Sequence, residues 1–276
     1  MSISMSNRDM TDLGEIRTIG AVNWLGLQTL YARECRRFMK VWTQTLGAPA
    51  VTTILFMVIF MVALGADRQP VAGFSYAEFL GPGLIMMAMI QNAFANTSSS
   101  LLISKVQGNI VDTLMPPLNS VELTIGYTAG GISRGLLVGF SVALVFWVMP
   151  MTEIGVTHLW AILYFSVAAC ALLSFVGILT GVWADKFDNA AAIQNFIIAP
   201  LSLLSGTFYS IERLGAEWQV FSSINPFFYL IDGFRYGVIG RSDSDMTTAV
   251  IYTMILNIIF GFLVFRMFKS GYKLKA

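Results

Sequence analysis

Long apolar runs, each ended by a small group of charged or turn-forming residues, set the pattern of this chain. Segments 41–66, 79–104, 154–184, 189–211 and 246–265 contain no Asp, Glu, Lys or Arg, and 123–152 is broken only by Arg134. A helix that crosses the hydrocarbon core of a bilayer needs about 20 mostly apolar residues. With polar ends trimmed, the pattern predicts spanning helices near 47–65, 82–104, 120–149, 158–183, 190–208 and 247–268. The predicted fold class is an all-α membrane protein of six transmembrane helices, with an N-terminal interfacial amphipathic helix and short re-entrant outer helices between the last two spans.

Four segments carry more than a simple span. In 24–42, Trp24, Leu27, Leu30, Tyr31, Cys35, Phe38, Val41 and Trp42 share one helical face, and Arg33, Arg36, Arg37 and Lys40 gather opposite. Glu34 alone falls on the wrong face, where it can pair with Arg37. A basic, aromatic-rich amphipathic helix of this kind lies along the membrane interface and anchors the first span, with its basic face free to dock a partner as well. In 105–122, a short helix over 105–115 must stop at Pro116-Pro117, because neither proline offers an N–H and each restricts its predecessor. A new helix then starts with Asn119 as N-cap, Glu122 at N3, and Leu118 and Leu123 in the staple positions. Such an inner segment serves either as a lever between a soluble partner and the membrane or as an ordinary tight connection.

The third segment is a run of glycines: Gly126 and Gly130, then Gly131, Gly135 and Gly139, recur every fourth residue, as do Gly177 and Gly181. This spacing brings helix backbones close, within one chain more readily than between subunits. Arg134 lies in the same run and must face protein or water; it is either a functional charge or one paired with a carbonyl or Glu122. The fourth, 205–241, is too long for a tight connection and too apolar for a solvated loop, holding Phe208, Tyr209, Trp218, Phe221, Phe227, Phe228, Tyr229, Phe234 and Tyr236. Asn225-Pro226 reads as N-cap and N1, and Asp232 and Arg235 stand three apart on the helix that follows, able to pair. Two short re-entrant helices are predicted here, allowed at membrane depth only where protein covers their ends.

Composition sharpens the class. The 276 residues are 56% hydrophobic and 12% charged, with mean hydropathy +0.69, against about a quarter charged in a soluble domain. The net charge of +1 implies no polyanionic partner and no nucleic acid. Two cysteines, Cys35 and Cys170, make no disulfide framework, and one histidine, His158, makes no histidine metal cluster. Of the 17 Lys and Arg, Arg68, Arg213, Arg235 and Arg241 fall on outer segments, Arg134 within a span and all others on inner segments. This bias predicts cytoplasmic termini. Region 1–20 is polar and mixed in charge, so no signal peptide is expected there.

The sequence contains no GxxxxGK[ST] phosphate loop, no HExxH and no paired-cysteine metal motif. His158, the one candidate base of its kind, sits at an outer span boundary. No inverted repeat is visible, which counts against a secondary transporter. Independent catalysis and a metal site are therefore not expected.

The four segments, in this order, resemble the permease (transmembrane) subunit of the ABC type-2 exporter family over 24–268. The likeness rests on Asp112-Thr-Leu-Met-Pro-Pro-Leu-Asn-Ser-Val-Glu122, on Leu201 through Ser205-Gly206-Thr-Phe-Tyr-Ser-Ile-Glu212, on Asn225-Pro226 and on Leu230-Ile-Asp-Gly-Phe-Arg235. Gly215-Ala216 after Leu214 departs from it, since many relatives carry a proline there. The resemblance implies a polar cytoplasmic N-terminus (1–22), a connecting helix (23–42), a six-span domain (43–268) and a basic cytoplasmic tail (269–276), in a bacterial inner membrane. It implies coupling to a separate ABC ATPase through Lys105, Asp112, Thr113, Leu114, Met115, Pro116 and Pro117, with Arg33, Arg36, Arg37 and Lys40 on the connecting helix. A second permease copy would form a homodimer around a substrate cavity lined by spans two and five, here Gln91, Asn92, Phe94, Asn96, Thr97, Gln194, Asn195 and Phe196. Tyr209, Glu212, Asn225, Pro226, Asp232 and Arg235 would form an outer gate. No cofactor would bind this chain, ATP and Mg being held by the partner. The implied activity is export of an amphipathic, lipidic or saccharide substrate by alternating access. A non-transporting anchor or regulatory subunit for an ATPase predicts the same spans and docking helix, but no polar path across the dimer.

Overall fold

The computed structural model describes residues 20–64, 73–148, 155–211 and 215–273. Among them the elements are helical. α1 (Trp24–Met39) leads through a π-helical turn (Thr43–Gly47) into α2 (Ala48–Leu64). α3 (Tyr76–Val106), α4 (Ile110–Leu114), α5 (Ser120–Val148) and α6 (Leu159–Trp183) follow. α7 (Phe187–Ile193) and α8 (Ala199–Leu203) are joined by a second π-helical turn (Gln194–Ile198), and α9 (Ala216–Ile224), α10 (Pro226–Ile239) and α11 (Met246–Ser270) complete the chain.

Four helical segments are long and apolar enough to cross a membrane: Thr43–Phe60, Ser120–Val148, Leu159–Trp183 and Met246–Ser270. The other two predicted spans fall short of that standard for different reasons. α3 is the longest helix, 31 residues, but the amides and hydroxyls of 91–100 dilute its apolar character. The fifth is too short: α7, its π-helical turn and α8 together run only from Phe187 to Leu203, against the about 20 residues that a span needs.

Local signals fix the ends. Ser75 and Glu78 form a reciprocal capping box at the start of α3, the Glu78 carboxylate accepting from the Ser75 N–H at 2.8 Å. Asn119 and Glu122 do the same for α5, at 2.7 and 2.8 Å, as the sequence predicts. Gly108, at φ +73°, turns the chain between α3 and α4. The short inner helix is therefore Ile110–Leu114 rather than 105–115, because α3 runs on to Val106 before that turn.

α3 is the central helix, packed against α5 and α6. The glycine spacing serves these contacts within the chain. A Cβ on Gly126 would lie 2.5 Å from Leu30, and one on Gly130 2.6 Å from Glu34, so α1 lies directly on the α5 backbone. A Cβ on Gly177 would lie 2.6 Å from the Phe94 carbonyl, and one on Gly181 2.8 Å from that of Ser98, which seats α6 against the backbone of α3.

At the C-terminal end of α6, lysines take over the carbonyls that no further helical turn can satisfy. The Lys105 ammonium donates to Val182 and Ala184 carbonyls at 2.6 and 2.8 Å, and Lys273 donates to Trp183 at 3.1 Å and to Asp185 at 3.2 Å. The hydrogen bond and charge of Lys273 hold the exposed Asp185 carboxyl below its ordinary range. A depressed folded value means that this tie is complete at neutral pH and is lost as pH falls through that value, below about 3.9. Spin labels at Trp183 and Tyr272 are expected to keep their separation from neutral pH to about pH 5. They should move apart at neutral pH in Lys273→Ala; an unchanged separation there would show that Lys273 does not hold the tail.

Candidate functional site

The end of the bundle where α1 meets α4 and the start of α5 is built around two carboxylates. One oxygen of Glu122 closes the α5 capping box, and the other accepts from the Asn23 N–H at 2.6 Å. Asn23 itself caps α1, accepting from Gly26 at 2.9 Å, and its amide donates to the Pro117 carbonyl at 3.2 Å. The start of α1, the proline turn and the start of α5 are thus one knot.

The second carboxylate is Glu34. It is fully buried between Leu30 and Phe38, on the stripe of α1 that packs on the bundle. The predicted apolar face divides here: Trp24, Val41 and Trp42 stay exposed. Glu34 accepts from Ser100 at 2.8 Å, from Arg33 at 3.3 Å and from Arg37 at 3.2 Å. Arg37 also donates to the Asn96 carbonyl and side chain, at 2.7 and 2.8 Å, and to Ser99 at 3.2 Å. Arg33 donates to Thr113 at 2.6 Å and to Tyr127 at 3.0 Å. Hence Arg33 and Arg37 turn into the bundle, while Arg36 and Lys40 remain exposed.

Of the predicted coupling residues, Thr113 is buried and held by Arg33, Leu114 is half-buried, and Asp112, Met115, Pro116 and Pro117 are exposed beside Val111. Lys105 is drawn away to the end of α6. A groove of about 760 Å³ runs between α1 and this turn, lined by Trp24, Leu25, Leu30, Pro116 and Leu118.

The predicted cavity residues separate. Gln91 and Asn92 line a cleft of about 280 Å³ with Gln44, Thr52 and Arg134, between α2, α3 and α5. Arg134 donates to the Asn92 side chain at 3.2 Å, rather than pairing with Glu122. Phe94, Asn96 and Thr97 are buried within the bundle; Thr97 donates to the Ser174 carbonyl of α6 at 2.9 Å. Gln194, Asn195 and Phe196 sit in the second π-helical turn and do not line this cleft; Phe196 is 81% exposed. No GxSxG elbow is expected from the sequence, yet Gly131-Ile-Ser-Arg-Gly135 spells that pattern. It lies within α5 rather than on a strand-to-helix turn, and the Ser133 hydroxyl meets that of Tyr31 at 2.8 Å.

At the opposite end of the bundle, Asn225 caps α10 by accepting from Phe227 at 3.1 Å, and Pro226 takes N1. The Asn225 amide donates to Leu201 and Ser205, at 3.1 and 2.8 Å. Asp232 and Arg235 pair at 3.7 Å, both buried. Asp232 also accepts from Asp243 and Ser244 N–H groups at 3.0 and 2.9 Å, and Asp243 in turn accepts from Ser210 and Ile211 at 2.7 and 3.0 Å. Arg235 donates to the Gly206 carbonyl and lies over the Phe79 ring at 3.9 Å. Tyr209 donates to Leu204 at 3.2 Å; Glu212 lies outside the described residues. His158 stacks on Tyr236, with ring centroids 4.3 Å apart. Sequence reasoning missed Ser100, Tyr127 and Asp243; only the acidic misfit at Glu34 signalled the inner network.

The bundle thus holds helices of membrane-crossing length, with the proline turn before α5 knotted to the start of α1. The chain belongs to the ABC-2 type transporter family, whose model matches residues 26–239. It is 36% identical over 255 residues to the inner membrane transport permease YadH of Escherichia coli strain K12, covering 92% of this chain and 98% of that protein. It is also 25% identical over 231 residues to nodulation protein J of Rhizobium leguminosarum bv. viciae, covering 80% and 84% of the two chains. Membership implies association with an ABC ATPase partner.

Proposed function

We propose that this chain is the permease half of an ATP-driven exporter of the bacterial inner membrane. In this reading it has six spans, both termini are cytoplasmic, and α9 and α10 form the re-entrant outer segment. Two copies pair around a central path. ATP and Mg²⁺ bind the ATPase subunit, whose closure moves the α4 turn and opens the path outward for an amphipathic, lipidic or saccharide cargo. The observation that carries this reading is the exposed knob Val111, Asp112, Met115 and Pro116, backed by the buried Thr113 and its bond to Arg33. A partner that pushes the knob pushes α1, α3 and α5 together.

The test is capture of the cognate ABC ATPase by the tagged permease in detergent, followed by nucleotide-dependent transport in inverted vesicles. Met115→Glu places a charge on an exposed docking position without touching the core. It is expected to cut captured ATPase about tenfold, equivalent to about 1.4 kcal/mol, at unchanged permease yield. Undiminished capture by both Met115→Glu and Val111→Glu would rule out the knob as the docking point.

A further inference from the structure

Arg134 is midway along α5, about 21 Å from its start, in a helix long and apolar enough to cross a membrane. Among the described residues it forms no ion pair. Its one described hydrogen bond goes to a neutral amide, the Asn92 side chain, and its Nε is buried without a partner. Asn92 is oriented for this by donating its own N–H to the Ala88 carbonyl at 3.0 Å, which turns its oxygen toward the guanidinium. A cation away from water costs several kcal/mol unless it is paired, and one amide oxygen is a weak counterweight. Beside the guanidinium is the cleft of about 280 Å³, lined also by Gln44, Thr52 and Gln91, all of which carry hydrogen-bond donors. Thr53 also lines it, and the rest of the wall is apolar, including Pro49 and Phe56.

We propose that this cleft is a binding site for an oxyanion, such as a phosphate, sulfate or carboxylate group, carried at the head of an amphipathic molecule. Arg134 supplies the charge, Gln44, Thr52 and Gln91 supply further donors, and the apolar wall accepts the attached chain. The guanidinium fork suits two oxygens of one such group. This assignment rests on the transport reading above and narrows its cargo to an anionic amphiphile.

The test uses the full-length permease alone in dodecyl maltoside micelles, with thermal unfolding followed by tryptophan fluorescence. The probes are dodecyl phosphate, zwitterionic dodecylphosphocholine and inorganic phosphate. Dodecyl phosphate is expected to raise the unfolding midpoint saturably, and dodecylphosphocholine to do so far less. Arg134→Gln should weaken the dodecyl phosphate response about tenfold or more, with partial recovery in Arg134→Lys. Asn92→Asp gives the arginine a resident counter-ion at a position where the fold is already satisfied, and should abolish the response while keeping the protein folded. A response shared by inorganic phosphate identifies a soluble anion as ligand, and one confined to dodecyl phosphate identifies an amphiphile; either supports the site. No response in the wild-type protein, or an undiminished response in both Arg134→Gln and Asn92→Asp, overturns it. Because no ATPase is present, that failure is separate from failure of the docking experiment.

Discussion

Glu34→Ala is expected to lower the unfolding free energy in detergent by about 2–3 kcal/mol, the largest loss from any single side chain on α1. Removing one member of a buried ion pair costs about 3–5 kcal/mol, because the partner's charge is left uncompensated. The figure is reduced here because Arg33 and Arg37 are 43% and 28% exposed and can recover some hydration, whereas Glu34 itself is inaccessible. Glu34→Gln keeps an acceptor for the Ser100 hydroxyl and should fall between wild type and Glu34→Ala. The measurement is reversible denaturation in mixed micelles, with a fluorophore on Tyr31→Cys reporting whether α1 leaves α5. A loss under about 0.5 kcal/mol, within the range of ordinary surface substitutions, would mean that the arginines do not depend on this carboxylate.

Gly177→Ala is expected to be as damaging for a reason unrelated to charge. The new methyl would meet the Phe94 carbonyl at 2.6 Å and the Thr97 hydroxyl more closely still. A carbonyl held in the α3 hydrogen-bond ladder cannot rotate away, so α6 must shift off α3. Overpacking of this kind costs about 1–3 kcal/mol, and the upper end is expected because α3 and α6 form the most extensive helix pair. Gly215→Ala is the matched control: no described residue beyond its chain neighbours lies within 4 Å of the added Cβ, and the φ of −62° suits alanine. It should be neutral or slightly stabilising. Equal melting temperatures for the two variants would contradict the close approach at Gly177.

The legible part of the fold was what repeats or punctuates. Apolar runs placed the long helices, Pro116-Pro117 and Asn119 placed the break before α5, and Asn225-Pro226 placed the start of α10. These signals are local, since a cap or a proline acts within a turn of itself. The Asp232–Arg235 pair was legible for the same reason, being three apart on one helix. What could not be read were contacts between distant elements. Nothing in a periodicity says that Arg37 reaches Asn96, or that Thr97 is spent on the Ser174 carbonyl instead of facing a cavity. Polarity in an apolar helix marks a group that needs a partner, but the partner is chosen by tertiary packing. Nor does an apolar run reveal a π-helical turn, so the side-chain directions of Gln194, Asn195 and Phe196 were beyond the pattern.

α3 makes one mechanical demand on whatever cycle the protein performs. It is 31 residues long, about 46 Å, and so exceeds a hydrocarbon layer of about 30 Å. Its single proline, Pro82, stands near the N-terminal end, just past the turn where the Tyr76 hydroxyl holds the Phe208 carbonyl at 3.0 Å. Beyond that proline α3 continues as one α-helix to Val106, so a tilt begun at its Lys105 end is carried along the shaft. The give is concentrated at the Tyr76 end, where a small bend would swing the Phe208 loop like a latch on a lever.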